Sequence, residues 1–539
     1  MSARKKILII LVMACVALAE AQNLHLSQSA FFEGETISGV AYFSNQSLLS
    51  HSYYISIYSE ENTLIARELL FVTKGNTSFQ IVIPENTKSG YYIFQIANYH
   101  NSIVTHTSNI LILNEDDWSQ VKMGQPRDRL LPRSAESSID FNVIQNQNQA
   151  HLKFQPTAPL SSAIKNVSVS VTDLKQNPLS LDSNIRPISQ APCNLETQHM
   201  VSDQNLQDWL YGYQVTGTVT DQNNDPIVDC PVIFSYTQDK LVFSYTKTNE
   251  FGKFGFFNLD VSGKFEGYIQ ALSQDTSKSI TINVLLPTEG LGSNPLVCES
   301  KFYLDSTQLA EIVRIRMLRK KVQSGYTTNE KKPIWSPEEP KPLLKNPDHL
   351  IKLEDYVALK TTKEVFKEIV PHAFLVKNRL RVFSPELRKT LTQLPLLLIN
   401  GIPARDKEIF ELPPHEIAYI EVLNELTKLV AYGDYALGGI ISVITKNDFE
   451  HGSYLNKVEF KGFTPSSRAI SPLKTSSEPF FPSVLYWNPQ LNPDDDAYKF
   501  SIDLPAYNTT VLISAVFQLT NGSIISHEEI VTLNNTYEK

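Results

Sequence analysis

The stretch Leu394–Asn447, LPLLLINGIPARDKEIFELPPHEIAYIEVLNELTKLVAYGDYALGGIISVITKN, decides how the rest of the chain is read. Its apolar run Leu396–Ile399 ends at the turn Asn400-Gly401-Ile402-Pro403, and a loop through Arg405 leads to Pro413-Pro414-His415-Glu416. Proline in a first helical turn costs little, because its missing N–H would be unpaired there anyway. IAYIEVL then reads as a strand, Tyr432-Gly433-Asp434 turns the chain, and Gly438-Gly439 opens a last apolar strand, IISVITK. Gly401 and Gly433 suit turns that need positive φ, and the paired glycines let two backbones approach closely. The predicted unit, residues 345–450, is a small mixed α/β domain. It is not a nucleotide cradle: YGDYALGG has neither the Lys nor the Ser/Thr of a phosphate loop, and no parallel βαβ unit precedes it.

Working outward, the chain has 539 residues, enough for about three to five domains. Its net charge of −9 leaves no basic stripe to neutralise phosphates, which argues against nucleic acid as a partner. The 27 Phe and 23 Tyr against 5 Met fit strands better than adaptable helical cores. Residues 1–21 read as a secretory signal: Arg4, Lys5 and Lys6 precede the apolar run ILIILVMACVALA, and Ala19-Glu20-Ala21 offers small residues for cleavage before Gln22. Cys15 admits a lipoprotein reading, but the apolar run continues past it into the cleavage site. No later segment reaches the ~20 apolar residues of a membrane helix. Export without a helical anchor is the expectation. It leaves Cys193, Cys230 and Cys298, an odd set whose spacing fits no zinc pattern.

Residues 22–115 alternate apolar and polar side chains in short runs (TISGVAYF, YYISIYS, YYIFQIANY, SNILIL), the pattern of a β-sandwich. A polar linker at 116–139 leads to a second expected sandwich at 140–210, carrying HLKFQP and NVSVSVTDL. Residues 211–290 hold YQVTGTVTDQNNDPIVDC and TNEFGKFGF, strands joined by Asn and Gly turns. At 291–344 the period changes: TQLAEIVRIRMLRKKVQ predicts a helix, and EEPKPLLKNPDHLIKL a proline-broken connector. DYVALKTTKEVFKEIVP predicts a second amphipathic helix, stopped at Pro371. Residues 451–539 alternate again, as a last sandwich. The expected fold class is multidomain and mainly β, several β-sandwiches plus the one small mixed α/β domain.

Three resemblances follow from these motifs. IPENTKSGYYIFQIANYHN, from Ile83 to Asn101, resembles the macroglobulin-type domains of alpha-macroglobulin-like bacterial proteins, and the LYWNP segment of the last sandwich is similar to their terminal domain. Residues 211–286 resemble the carboxypeptidase regulatory-like β-sandwich, a noncatalytic module. The order of turns and strands over residues 345–450 resembles the plug domain of TonB-dependent outer-membrane receptors, through Asn400, Gly401, Pro403, Pro413–Glu416 and Gly438-Gly439. A receptor barrel of about 22 strands of roughly 10 residues needs well over two hundred residues, and the stretch after Lys446 is far shorter. The chain thus reads as a plug kept without its barrel, in an exported protein of Bacteroidetes type. This implies a non-enzymatic protein at the outer-membrane periphery, whose plug-like domain docks against or occludes a barrel or channel supplied by another chain. Docking is expected at the loops holding Asn400, Gly401, Pro403 and Arg405 and at Tyr432, Gly433, Asp434, Gly438 and Gly439. The alternative is a periplasmic or surface receptor for peptide or glycan, in which the plug-like domain is scaffold only.

Reactive constellations are not expected. No His-Glu-x-x-His, no Gly-x-Ser-x-Gly and no Cys-Gly-Glu-Gln thioester occurs, so no catalytic, metal or cofactor residues are assigned. Glu421 reads more simply as the solvent face of a strand than as a buried carboxylate. His415-Glu416 reads as a helix start before it reads as a metal pair. Asp494–Asp496 is a solvated loop before it is a calcium site. The basic run RIRMLRKK reads either as a helix's exposed side or as a contact for anionic lipid or another chain's acidic face. Cys230 reads as a small buried hydrophobe.

Overall fold

Period-two alternation becomes strand nearly everywhere it occurs in the computed structural model, and the chain is mainly β as its sequence predicts. The structure describes residues 21–43, 51–72, 75–99, 104–123, 138–146, 149–177, 213–237, 241–259, 261–271, 280–285, 304–326, 340–447, 449, 456–472, 481–505 and 507–534. Residues 1–20 of the expected signal segment, with Cys15, and also Cys193 and Cys298 lie outside them, while Ala21 opens the first strand. Two compact units are formed. One is drawn from Met1–Gly212, Leu291–Glu330 and Phe463–Lys539, the other from Tyr213–Gly290 and Lys331–Gly462.

The first unit opens with β1 (Ala21–Leu26), β2 (Ala30–Phe32), β3 (Thr36–Phe43), β4 (His51–Ser59), β5 (Leu64–Val72), β6 (Asn76–Val82), β7 (Gly90–Asn98) and β8 (Val104–Leu113). They form a three-stranded sheet, β1-β3-β6, and a five-stranded sheet, β2-β8-β7-β4-β5. Leu26, Ile37, Phe79, Ile55, Phe94 and Ile110 belong to the core that the two sheets share. Helix α1 (Ser306–Tyr326) sets Leu309, Ile312 and Val313 against Phe32, Leu111 and Leu113 of this sandwich. Its basic run is divided: Arg314, Lys320 and Lys321 are exposed, while Arg316 and Arg319 turn onto the sandwich. Arg316 and Arg319 both reach Glu35 Oε1, at 2.8 and 2.9 Å, the Arg316 guanidinium lies 4.8 Å from the Phe32 ring centroid, and Lys320 pairs with Glu115 at 2.6 Å. Burial pushes the Glu35 carboxyl above its usual range, and Arg316 pulls it back.

Strands β9 (Ile139–Gln145), β10 (Gln149–Pro156) and β11 (Ile164–Asp173) come next, followed by the second unit. There β12 (Tyr213–Asp221), β13 (Pro231–Thr237), β14 (Leu241–Lys247), β15 (Lys253–Leu259), β16 (Lys264–Ala271) and β17 (Ile280–Leu285) make the sheets β15-β12-β17 and β14-β13-β16. The mixed block follows as β18 (His349–Lys352), α2 (Thr362–Glu368), β19 (Ala373–Val376), β20 (Arg379–Ser384), β21 (Lys389–Thr390), β22 (Leu396–Ile399), β23 (Ile402–Pro403), α3 (Asp406–Glu411), β24 (Ile417–Leu423) and β25 (Ile440–Thr445). Its main sheet runs β18-β24-β25-β22-β23, with β22 and β25 parallel. Helix α2 is shorter than the predicted amphipathic segment, because Thr361 caps it: its hydroxyl accepts from the Glu364 N–H, and Glu364 answers in a capping box. Strand β26 (Asn456–Lys461) then pairs with β16, from Lys264↔Lys461 to Ile269↔Asn456, and so joins the 211–290 sandwich rather than the last one.

The chain closes with β27 (Val484–Asn488), β28 (Tyr498–Asp503), β29 (Thr509–Leu519) and β30 (Ile524–Leu533). These do not make a sandwich of their own. They complete the one begun by β9–β11, as the sheets β28-β10-β9 and β27-β11-β29-β30. The two sandwiches expected at 140–210 and 451–539 therefore share one core, in which Phe154, Val169, Phe500 and Phe517 pack together. This sandwich meets the first through β11 and β29: His25 of β1 bonds Ser168 and Ser170, and Asn76 bonds Gln518. Glu35→Ala strands two guanidiniums beside an apolar helix face and is expected to cost the first unit roughly 2 to 3 kcal/mol in a denaturant titration. Glu311→Ala, which removes only an exposed i,i+3 pair with Arg314, should leave that transition in place.

Candidate functional site

Strands β22 and β25 carry apolar side chains at consecutive positions, and every residue of both is buried. A sheet of this kind needs cover on both faces. The cover comes partly from the neighbouring sandwich: Ile233, Leu241 and Phe243 of β13 and β14 share one apolar cluster with Leu396–Ile399, Ile420 and Ile441. Glu421, in the middle of β24, is also fully buried, contrary to its simpler reading as solvent face. Its two carboxylate oxygens accept the Leu344 N–H at 3.0 and 3.3 Å, which pins the connector to the sheet.

The residues expected to form docking loops fall into two turns. Asn400 takes φ +52° and is tied to Thr445, donating to its hydroxyl at 2.7 Å and accepting from its N–H at 2.9 Å. Gly401 takes φ +82°, and a Cβ there would stand 2.7 Å from Thr237 Oγ1 and 3.1 Å from Leu241 Cδ1. Pro403 is buried and pairs with Leu398. In the other turn the Tyr432 ring lies 6.4 Å from Phe243, Tyr435 stacks on Tyr245 at 6.1 Å, and a Cβ on Gly433 would meet the Tyr245 Cβ at 3.4 Å. Burial raises the pKa of both the Tyr432 and Tyr435 hydroxyls. Gly438 and Gly439 are buried: a Cβ on the first would run into the Leu394 carbonyl, and on the second would lie 2.8 Å from Val382. Only Arg405 and Asp434 are exposed. The two turns are thus closed against strands β13 and β14, and the expected free docking face is corrected. The physical reason is the doubly apolar sheet, which holds its turns against the sandwich that covers it.

The remaining candidates settle individually. His415 Nε2 and Glu416 Oε1 stand 3.9 Å apart on exposed side chains, and no group of three or more metal-ligating side chains gathers among the described residues. Asp494 is engaged by Lys499 at 2.8 Å, while Asp495 and Asp496 take φ +50° and +60° in the turn between β27 and β28. Cys230 is buried, as read. A small polar pocket at the rim of the second sandwich is lined by Ser161, Lys165, Gln490, Asn492 and Asp496.

Two features went unread in the sequence. Leu350, Tyr356 and Val357 are exposed, Val357 by 83%, beside β18 at one edge of the mixed sheet. The amphipathic pattern predicted a helix from Asp355 onward, which concealed Tyr356 and Val357, while Leu350 lay in the stretch read as a connector. His25 lies in NLHLS without any motif around it, and only the fold brings it to Ser168 and Ser170.

No family model matches the sequence, and no curated protein matches it. Solved structures similar to the chain include a biofilm-associated protein's BSP domain, 13% identical over 52% of this chain and 32% of that one, with a TM-score of 0.15. They also include Escherichia coli alpha-2-macroglobulin activated by porcine elastase, 8% identical over 95% of this chain and 43% of that one, TM-score 0.21. The same protein in its native conformation is 9% identical over 96% and 40%, TM-score 0.22. The chain spans less than half the length of each. It is similar to bacterial alpha-2-macroglobulins in its macroglobulin-like β-sandwiches, and the comparisons show neither a TonB receptor plug nor a carboxypeptidase regulatory domain.

Proposed function

We propose that the chain is an exported, non-enzymatic binding protein of the outer-membrane periphery, in which the plug-like block serves as a structural layer and not as a stopper. The observation that carries this reading is the closed Gly401 turn, seated on Thr237 and Leu241. A module that must enter another chain's lumen needs its turns free, and these are spent on the carboxypeptidase regulatory-like sandwich beside them. The binding surface is then the opposite feature of the same sheet, its β18 edge. An edge strand offers unpaired backbone groups to an extended peptide, and flanking apolar side chains supply pockets for alternate residues. The exposure of Leu350 on that strand, and of Tyr356 and Val357 shortly after it in the chain, supports that role. The macroglobulin-like and regulatory-like sandwiches act as spacers that present this edge.

Docking in trans to a barrel or channel is the second reading, favoured by the exposure of Arg405 and Asp434 at the two turns. Gly401→Val separates the two. As a buried layer, the block resents a β-branched side chain at φ +82° that collides with Thr237, and the second unit should lose about 1 to 3 kcal/mol in thermal or denaturant unfolding. If the turn is instead a docking loop, the variant unfolds like the parent and loses only a partner.

The edge reading is tested by Leu350→Glu combined with Val357→Glu. Stability should stay within about 0.5 kcal/mol, as for surface positions, while capture of extended peptides from a displayed library is lost. Fractionation bears on the same choice. A protein held only by peptide contacts leaves outer membranes in a salt wash, whereas retention after the wash together with an unchanged peptide profile for the double variant would favour the barrel.

A further inference from the structure

The joint between the two sandwiches of the first unit contains a directional chain of hydrogen bonds around one buried imidazole. His25 is fully buried on β1, with Nδ1 2.6 Å from Ser168 Oγ and Nε2 3.0 Å from Ser170 Oγ. Tyr42 of β3 donates its hydroxyl to the same Ser168 oxygen at 2.6 Å. With Tyr42 donating, Ser168 can give its own proton to a neutral Nδ1, which leaves Nε2–H to donate to Ser170. With the ring neutral and protonated at Nε2, every member of this chain has a partner. Trp487 of β27 closes the cluster edge-on, 5.1 Å from the His25 ring, with its indole N–H given to Ser467 at 2.8 Å.

Among the described residues no charged group acts on the ring. The elements packed around it contribute Ser168 and Ser170 from β11, Trp487 from β27 and Tyr42 from β3, and Tyr42 is the one other titratable group in the chain of bonds. Burial alone holds the imidazole far below its ordinary range, at about 3, and pushes the Tyr42 hydroxyl up. A second proton on the ring would turn Nδ1 into a donor, and Ser168 would have to turn its own proton away from the ring. It would also place an unpaired cation in an apolar joint with Val40, Val484 and Val516.

We propose that the His25 cluster is an acid-released latch: proton uptake at His25 parts the two sandwiches of the first unit instead of charging the ring in place. The sign follows from linkage. The closed joint holds His25 neutral, while the open joint returns it to an ordinary imidazole, so the open form binds the additional proton. Closure is fully present above roughly pH 6.5 and weakens as pH falls below it, by up to about tenfold in the opening constant per pH unit. This is independent of the proposed peptide edge, which lies in the other unit.

Trp487 reports the opening, because it is fully buried in the joint. The full chain carrying Trp118→Phe, Trp209→Phe and Trp335→Phe is titrated from about pH 7.5 to about pH 4.5, following acrylamide quenching of Trp487 and far-UV circular dichroism together. The expected result is a rise in quenching that begins near pH 6.5 while the strand signal holds, and that disappears in the same background with His25→Gln. His106 and His527, also buried and with lowered pKa, contribute to acid unfolding of the whole unit and remain in both proteins. Quenching that changes only with loss of the strand signal overturns the latch, as does an unaltered profile in the glutamine variant. If that variant does not fold, the ¹⁵N shifts of His25 in the parent decide. An imidazolium signature with Trp487 still shielded overturns the proposal, and a neutral Nε2–H ring for as long as Trp487 is shielded supports it.

Discussion

The second unit depends on a sheet that is apolar on both faces. Leu396–Ile399 and Ile440–Thr445 bury every side chain they carry. At about 25 cal/mol per Å² of apolar surface, a bare face of such a sheet is a large loss, so Ile233, Leu241 and Phe243 are as much part of its core as its own residues. Close approach then becomes a requirement. Gly438 lies so near the Leu394 carbonyl that a methyl group has no room, and Gly401 holds a left-handed turn against a neighbouring hydroxyl. These glycines keep the block in contact with its own sandwich, whatever fold its motif order resembles.

The strands were readable because alternation is local, and so were the turns at Asn400-Gly401 and Tyr432-Gly433, where positive φ is a property of the residues themselves. Pairing across distance was not. β11 joins β27 and β29 across more than three hundred residues of sequence, and β26 adds to a sandwich that its composition gives no reason to choose. Alternation says that a strand has an inner face, but not whose core it enters. Glu421 illustrates the same limit. A carboxylate between isoleucine and valine reads as solvent face unless it is known that the next strand on either side covers it and that the Leu344 N–H waits there.

The expectation that the docking loops stand free of their own sandwich meets a related limit. Glycine-rich turns on a rigid sheet carry binding when they face water, and sequence reports the turn without reporting what lies opposite. Here Tyr245 and Thr237 lie opposite. The exposed edge beside β18 had the reverse fate, hidden because Tyr356 and Val357 fit a helical period that Thr361 cuts short. Capping chemistry at a single threonine thus moved two apolar residues from an expected helix face to a sheet edge.

Each unit contains a joint between two modules, and the two joints differ in kind. The one under the mixed sheet is mainly apolar, with the Leu241 N–H donated to the Leu343 carbonyl and the Leu344–Glu421 bond beside it, so its strength follows buried area more than the direction of any one group. The one at His25 is a chain of donors and acceptors that is complete when the imidazole is neutral. Apolar joints tolerate small shifts, whereas a buried polar chain is stable only when every member is satisfied. That asymmetry makes the second joint the conditional one, because a proton taken up at His25 leaves the apolar contact of the first joint untouched yet puts a cation without a counter-charge into a fully buried site.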